Sequence, residues 1–337
     1  MESPQPIDAE LIGVISPAEY LFETRDFSIL NESIATLTNY EPVVNVFDKD
    51  EHVVFGIKGQ GPGEFQNPSK ISMSKNMKVG VMDFPAPNNI KLARFSMDGQ
   101  LESEEMLREI GTIGSFSFIN GEEIVALTGE FMSNKYSLIH YDGFEYKKIF
   151  EFETEQIEII PEIGPVPRIT ISKPYVNTFT WAPYSDDQIA IWKGNNKIEI
   201  VDLDGELQKI YSFDLQKFEL TNSLITSWID RNYPEDRQAF GHQNFNIGIR
   251  KALQEDIEFP KYLPVILEIK KDVSGEGVWI RRTPKSEGQK WSLLTENGII
   301  KTTKFPSGRS VIGFSENYAY ASFTDEDGFD NIEKYKP

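Results

Sequence analysis

The chain contains no cysteine, so disulfides, thiolate catalysis and zinc–cysteine sites are all excluded. Histidine is nearly as scarce, with only His52, His140 and His242 available as imidazole bases or ligands. Positive charge is in deficit: 34 Lys and Arg stand against 53 Asp and Glu, a formal net charge of -19. Nucleic acid is therefore an unsuitable partner, because binding it needs cations to displace phosphate counterions. An anionic membrane surface is disfavoured for the same reason. No apolar run approaches the length of a membrane span, so no transmembrane segment is expected. The opening Met1-Glu2-Ser3-Pro4-Gln5-Pro6 is not a signal peptide, and its polar character suits a chain whose leader has been cut away. Also missing are a Gly-x-Ser-x-Gly elbow, a His-Glu-x-x-His motif, heptads and low-complexity runs.

What is present is a succession of short apolar runs separated by turn signals. The most pronounced break is Gly59-Gln60-Gly61-Pro62-Gly63-Glu64-Phe65-Gln66-Asn67-Pro68, where glycines on alternate positions can supply positive φ and Pro62 fixes one side of a bend. Without a following Lys-Ser or Lys-Thr it is a poor phosphate cradle. It is expected to carry the chain from the outer edge of one sheet to the inner edge of the next. A second pattern recurs, an apolar strand followed by an acidic or amide residue with glycine: Asp98-Gly99, Asp142-Gly143, Asp204-Gly205 and Asn297-Gly298, with Asp48-Lys49-Asp50 as a variant. These are hairpin turn residues. Their spacings of 50, 44, 62 and 93 residues are those of propeller blades, except for the last, which holds an insertion.

Two further strands precede each hairpin. They are expected at residues 19–24 and 34–38, 70–75 and 78–83, 114–119 and 123–128, 177–182 and 188–192, and 265–270 and 277–281. A sixth unit draws on both ends of the chain, with residues 310–316, 318–323 and 331–336 completed by residues 11–15. The fold class is thus all-β: a six-bladed β-propeller of four-stranded antiparallel blades, closed by pairing of its terminal strands. One domain over residues 1–337 accounts for the whole chain. Closure removes the sheet edges that would otherwise invite association, so a monomer is expected. The insertion, about residues 216–262 between blades four and five, carries helical spacing at Leu224, Ile225, Trp228 and Ile229, and again at Ile249, Ala252, Leu253 and Ile257. It reads as two amphipathic helices over one rim, or as a lid or docking element. Residues 161–167 read as a stiff, proline-rich crossover.

The stretch Gly-Gln-Gly-Pro-Gly-Glu-Phe with Pro68 and Ile71, placed after Val-Phe-Asp-Lys-Asp-Glu-His, resembles the corner motif of NHL-like propellers. It is most similar to TolB-like six-bladed propellers of Gram-negative bacterial envelopes, and the run 262–280 resembles another start of a blade in that group. The resemblance implies a periplasmic protein or outer-membrane lipoprotein and brings hardly any chemistry. Two function classes stay open. One is a non-catalytic binding or assembly module for an envelope protein or glycan. The other is a metal-dependent lactonase- or lyase-like enzyme, for which the inner strands offer serines but few ligands. No catalytic residue is assigned. Inter-blade passages and second-to-third strand loops share one face, where Trp192, Lys193, Asn195, Asn196, Arg282 and Lys285 are the candidate binding residues. Asp325, Asp327 and Asp330 have the carboxylate density of a calcium loop but also suit a polar turn; no other cofactor is suggested.

Overall fold

The computed structural model describes residues 4–15, 23–41, 43–48, 51–86, 89–108, 110–129, 133–159, 169–173, 175, 179–214, 217–235, 245–255, 257–272, 277–282 and 288–337. Six antiparallel sheets form the blades. Their inner strands are Thr24–Leu30, Pro68–Ser74, Thr112–Ile119, Thr180–Pro183, Glu268–Lys271 and Ser310–Phe314. Each inner strand contacts those of the next and preceding blades, including the last against the first, which closes the ring.

The physical basis of each blade is burial on both faces. Ser33–Thr38, the second strand of blade one, is buried at every residue. Such strands read as continuous apolar runs rather than as alternation. The outermost strands behave differently: Leu101–Arg108 is almost wholly exposed and carries three glutamates, which blunt an edge that would otherwise pair with other chains. Six apolar clusters fill the spaces between neighbouring blades. Between blades one and two, for example, Leu37, Val44 and Val46 pack on Met73, Val81 and Phe65. The hairpin turns are as expected, with φ of +83° at Gly99 and +82° at Gly205.

Closure uses the terminal strands. Glu10–Val14 pairs antiparallel with Asp330–Lys336, with Leu11 opposite Tyr335 and Val14 opposite Glu333. The start of the chain also makes a second clasp that the sequence did not suggest. Ile7–Asp8 adds a fifth, parallel strand to blade five, opposite Thr303 and Lys304.

Three expected inner strands are displaced. That of blade one is Thr24–Leu30 rather than 19–24, of which residues 19–22 lie outside the described residues. That of blade five begins three residues later than expected, at Glu268, and that of blade four is Thr180–Pro183, residues 177–178 of the expected strand lying outside the described residues. Where both faces of a strand are buried, sequence periodicity does not mark its ends, and turn residues set them instead. The Gly59–Phe65 corner does lead from the outer strand Glu51–Phe55 to the inner strand Pro68–Ser74, through a short parallel pair between Ile57–Lys58 and Glu64–Phe65. Only Gly63, at φ +72°, needs glycine for its backbone. At Gly59 a Cβ would fall 2.0 Å from Glu64 Oε2, so the requirement there is room for a carboxylate, which accepts the Gly61 N–H at 2.8 Å.

Candidate functional site

The candidate loop residues are engaged in local structure. Trp192 is 1% exposed within the core between blades four and five, and its Nε1–H donates to the Asn195 carbonyl at 2.6 Å. It braces the loop from inside and offers no ring face to a ligand. Lys193 pairs with Glu199 at 2.6 Å and lies over the Phe150 ring of blade three at 4.2 Å. Asn195 Oδ1 accepts the Lys197 N–H, and the Asn196 carbonyl accepts that of Phe213. Arg282 lies 5.4 Å over the Phe218 ring, and burial lowers its pKa. Lys285 lies outside the described residues.

The acidic loop holds itself together. Asp325 Oδ1 accepts the N–H groups of Asp327 and Phe329, and its Oδ2 accepts from Asn331 Nδ2. Asp330 receives the Thr324 hydroxyl and the Thr24 N–H, which ties blade six to blade one. Asp327 is exposed. His52 stacks on Phe47 at 4.5 Å and contacts Asn45 Oδ1, and burial lowers its pKa. His140 contacts Glu123 at 2.7 Å, while His242 lies outside the described residues. Among the described residues no three His, Cys, Asp or Glu gather closely enough to hold a metal ion.

One face of the ring carries a cap. It is built from α1 (Asn222–Asn232), α2 (Phe245–Glu255) and a strand pair, Gln156–Ile159 with Ile169–Ser172, that precedes blade four. The proline-rich residues 161–167 between those strands lie outside the described residues. Thr221 caps α1 by accepting the Leu224 N–H through its side chain. The cap has its own core, in which Ile229, Ile249 and Leu253 pack with Ile171, Trp228 and Tyr233. A second cluster of Leu220, Leu224 and Leu263 with Tyr175 and Phe218 packs the start of α1 against both sides of the stem and the passage before blade four. The stem is narrow: Glu219 and Tyr262 pair across an antiparallel bridge, flanked by hydrogen bonds of 3.0 and 2.8 Å. An open groove of about 500 Å3 lies between stem and helices, lined by Ile225, Leu253, Ile257 and Phe259 together with Asn222, Thr226, Gln254, Glu219 and Lys261.

The ring axis provides another concave site, a channel lined by all six inner strands. Inner strands are sheet edges, so their outward N–H groups need partners. Side chains from the preceding blade supply several. Asp26 accepts the Ile71 N–H at 3.0 Å, Ser28 that of Met73 at 2.8 Å, Ser72 that of Phe118 at 3.1 Å and Thr180 that of Ile269 at 3.3 Å. Charge gathers here too. Burial raises the Asp26 pKa, opposed by the nearby Lys70. Burial lowers that of Lys271, with Asp186 opposing and Lys75 adding to the shift. Neither Lys70 nor Lys271 forms an ion pair or hydrogen bond with a described residue, whereas Lys75 pairs with Asp186.

These channel charges were not foreseen as a site. With the first inner strand expected at 19–24, Asp26 lies in a loop, and Lys271 lies one residue past the expected strand 265–270. A usable signal existed: Ser28, Ser72 and Ser117 recur at 44 and 45 residues, the blade repeat itself.

No family model matches the chain, and no curated protein matches it. Solved structures do. U3-55K is similar over 97% of this chain and 98% of its own, at 7% identity and a TM-score of 0.51. The WD40 repeats of RRP9 are similar over 99% of both chains, at 7% identity and 0.50. A PQQ-bound aldose sugar dehydrogenase from Streptomyces coelicolor is similar over 99% of both, at 13% identity and 0.49. At such identities the likeness concerns the fold, and the fold is that of a β-propeller.

Proposed function

We propose that this chain is a non-catalytic binding module of a bacterial cell envelope, which receives a protein partner on its capped face. The cap carries this reading. Blade pairing and ring closure are complete without it, yet two separate inter-blade passages converge to form it, with a core of their own. An addition of that kind on a rigid scaffold is where contacts are usually presented. Its groove sets apolar Ile225, Leu253, Ile257 and Phe259 among polar Asn222, Thr226 and Gln254 and charged Glu219 and Lys261, which suits a partner's mixed apolar and polar surface. Placement in the periplasm or as an outer-membrane lipoprotein, as a monomer of TolB-like kind, belongs to the same proposal and is supported by the Gly59–Phe65 corner resemblance. The described residues include no helix long and apolar enough to cross a membrane.

The stem supplies the test. Residues 221–260 can be excised and Leu220 joined to Lys261 by Asn-Gly, because the flanking residues already pair as a hairpin would. Parent, cap-less ring and a variant altered at the Asp98-Gly99 hairpin on the opposite face are each cross-linked in an envelope fraction. A partner held by the parent and the hairpin variant, and lost from a cap-less ring that still melts cooperatively, is the expected result. Retention of that partner by the cap-less ring overturns the proposal, and a glycan recovered in its place corrects the partner class.

A further inference from the structure

The mouth of the channel on the face opposite the cap has the makings of a second site, independent of the reading above. It is formed by first-to-second strand hairpins, with Asn31, Lys75, Asn120 and Asp186 at its rim. Below the rim lies a cavity of about 170 Å3 that continues into one of about 250 Å3 along the axis, and Ser28, Ser72 and Lys271 line both. Together they hold no more than about 420 Å3, near the lower end of the usual range for ligand pockets. The occupant must therefore be small.

Its chemistry follows from which hydrogen-bonding groups are already committed. Ser28 and Ser72 each accept one backbone N–H, and their own O–H hydrogens have no acceptor among the described residues. Lys271 likewise has three donors and no bonded partner. The Lys75–Asp186 pair contributes no net charge, so Lys271 leaves the mouth locally cationic on a chain of formal charge -19. Three donors without acceptors call for a ligand that only accepts, namely an oxyanion. Further in, half-buried Ile29, Trp181 and Ile312 add apolar surface to a wall that also carries Ser115 and Ser117. An anion carrying a short apolar body fits both halves of the cavity, whereas a bare inorganic anion satisfies only the first.

We infer that this mouth binds a small organic monocarboxylate, its carboxylate held by Lys271 and the Ser28 and Ser72 hydroxyls and its apolar end lying along the channel. The ligand restores a partner to an ammonium that burial otherwise disfavours, and it raises the pKa of Lys271 towards its ordinary value.

Isothermal titration of the full chain with pentanoate, pentylammonium and inorganic phosphate tests the inference. Pentanoate is expected to bind, and pentylammonium is not. Lys271→Met weakens pentanoate by roughly ten- to a hundredfold, the loss of one charge-assisted contact. Lys271→Arg keeps part of the affinity, and Lys271→Gln serves if methionine disturbs folding. The cap-less ring binds pentanoate as the parent does, which separates this site from the proposed partner face. Absence of pentanoate binding, equal binding by the Lys271→Met or Lys271→Gln variant, or phosphate binding as tightly as pentanoate overturns the assignment.

Discussion

Two regions of this ring bury charge, and they treat it in opposite ways. At the corner between blades one and two, Asp83 is 0% exposed and Lys91 6% exposed. Both are fully engaged. Asp83 accepts the N–H groups of Gln66 and Asn67, at 2.5 Å for the latter. Lys91 donates to the Glu64 carbonyl, lies 3.5 Å from Glu104 and 3.9 Å from Asp83, and faces the Phe65 ring. Along the channel, the side chain of Lys271 has no such company among the described residues. A buried charge whose bonds are all met by the fold maintains a shape. One that faces a cavity with its donors unmet is available to something outside the chain.

The largest effect expected from breaking this contrast is at the corner. Asp83→Ala strands two backbone N–H groups and leaves Lys91 beside Glu104 alone, which should cost about 3–5 kcal/mol. Urea unfolding at neutral pH measures it, and a loss below about 1 kcal/mol would show the network to be dispensable. Next comes the Glu64 carboxylate. Gly59→Ala displaces it from the Gly61 N–H and should cost about 1 kcal/mol in the parent but almost nothing in a Glu64→Ala background. Additive losses in that double-mutant cycle would return the glycine requirement to the backbone.

The channel should respond in the other direction. Lys271→Met removes an unpaired, disfavoured charge and is expected to be neutral or stabilising within about 1 kcal/mol. A marked loss of stability would mean that Lys271 has a structural partner after all. The smallest effect is a pH dependence at Asp26, whose carboxyl is raised above its unfolded value by burial. Because the folded state binds that proton more tightly, stability from this group is fully present below the unfolded pKa and is lost as pH rises through the folded pKa. Asp26→Asn keeps an acceptor for the Ile71 N–H. Its melting temperature relative to the parent should rise across that acidic window and then level off. A flat difference would place Asp26 in a solvated setting.

How far the sequence led depends on which residues one asks about. Asp98-Gly99 and Asp204-Gly205 disclosed their hairpins because a tight turn admits few residue types. Residues 11–15 disclosed the closure because they were an apolar strand without a partner. The two helices were legible from their spacing: α1 falls where it put it, and α2 holds Ile249, Ala252 and Leu253 but ends at Glu255, short of the expected Ile257. Trp192 misled because an aromatic beside a loop looks the same in sequence whether its ring faces in or out; its burial here is in a core shared with blade five, which includes Leu294, just over a hundred residues away. The channel charges were hidden for a related reason. Which side of an inner strand faces the axis is decided by ring geometry, and no local pattern in 24–30 or 268–271 records it.

The shared sixth blade has a consequence for how the molecule is made. A polypeptide is synthesised from its first residue onward, so Glu10–Val14 exists long before Asp330–Lys336, the strand it must pair with. Throughout that interval blades one to five can assemble in order while the leading segment stays without its final sheet partner. Sealing the circle is then the last event, and it joins residues more than three hundred positions apart, the slowest kind of contact to form. Two chains caught at this stage in close quarters can each lend the leading strand to the other's sixth blade, giving an exchanged dimer with the same hydrogen bonds as two separate rings.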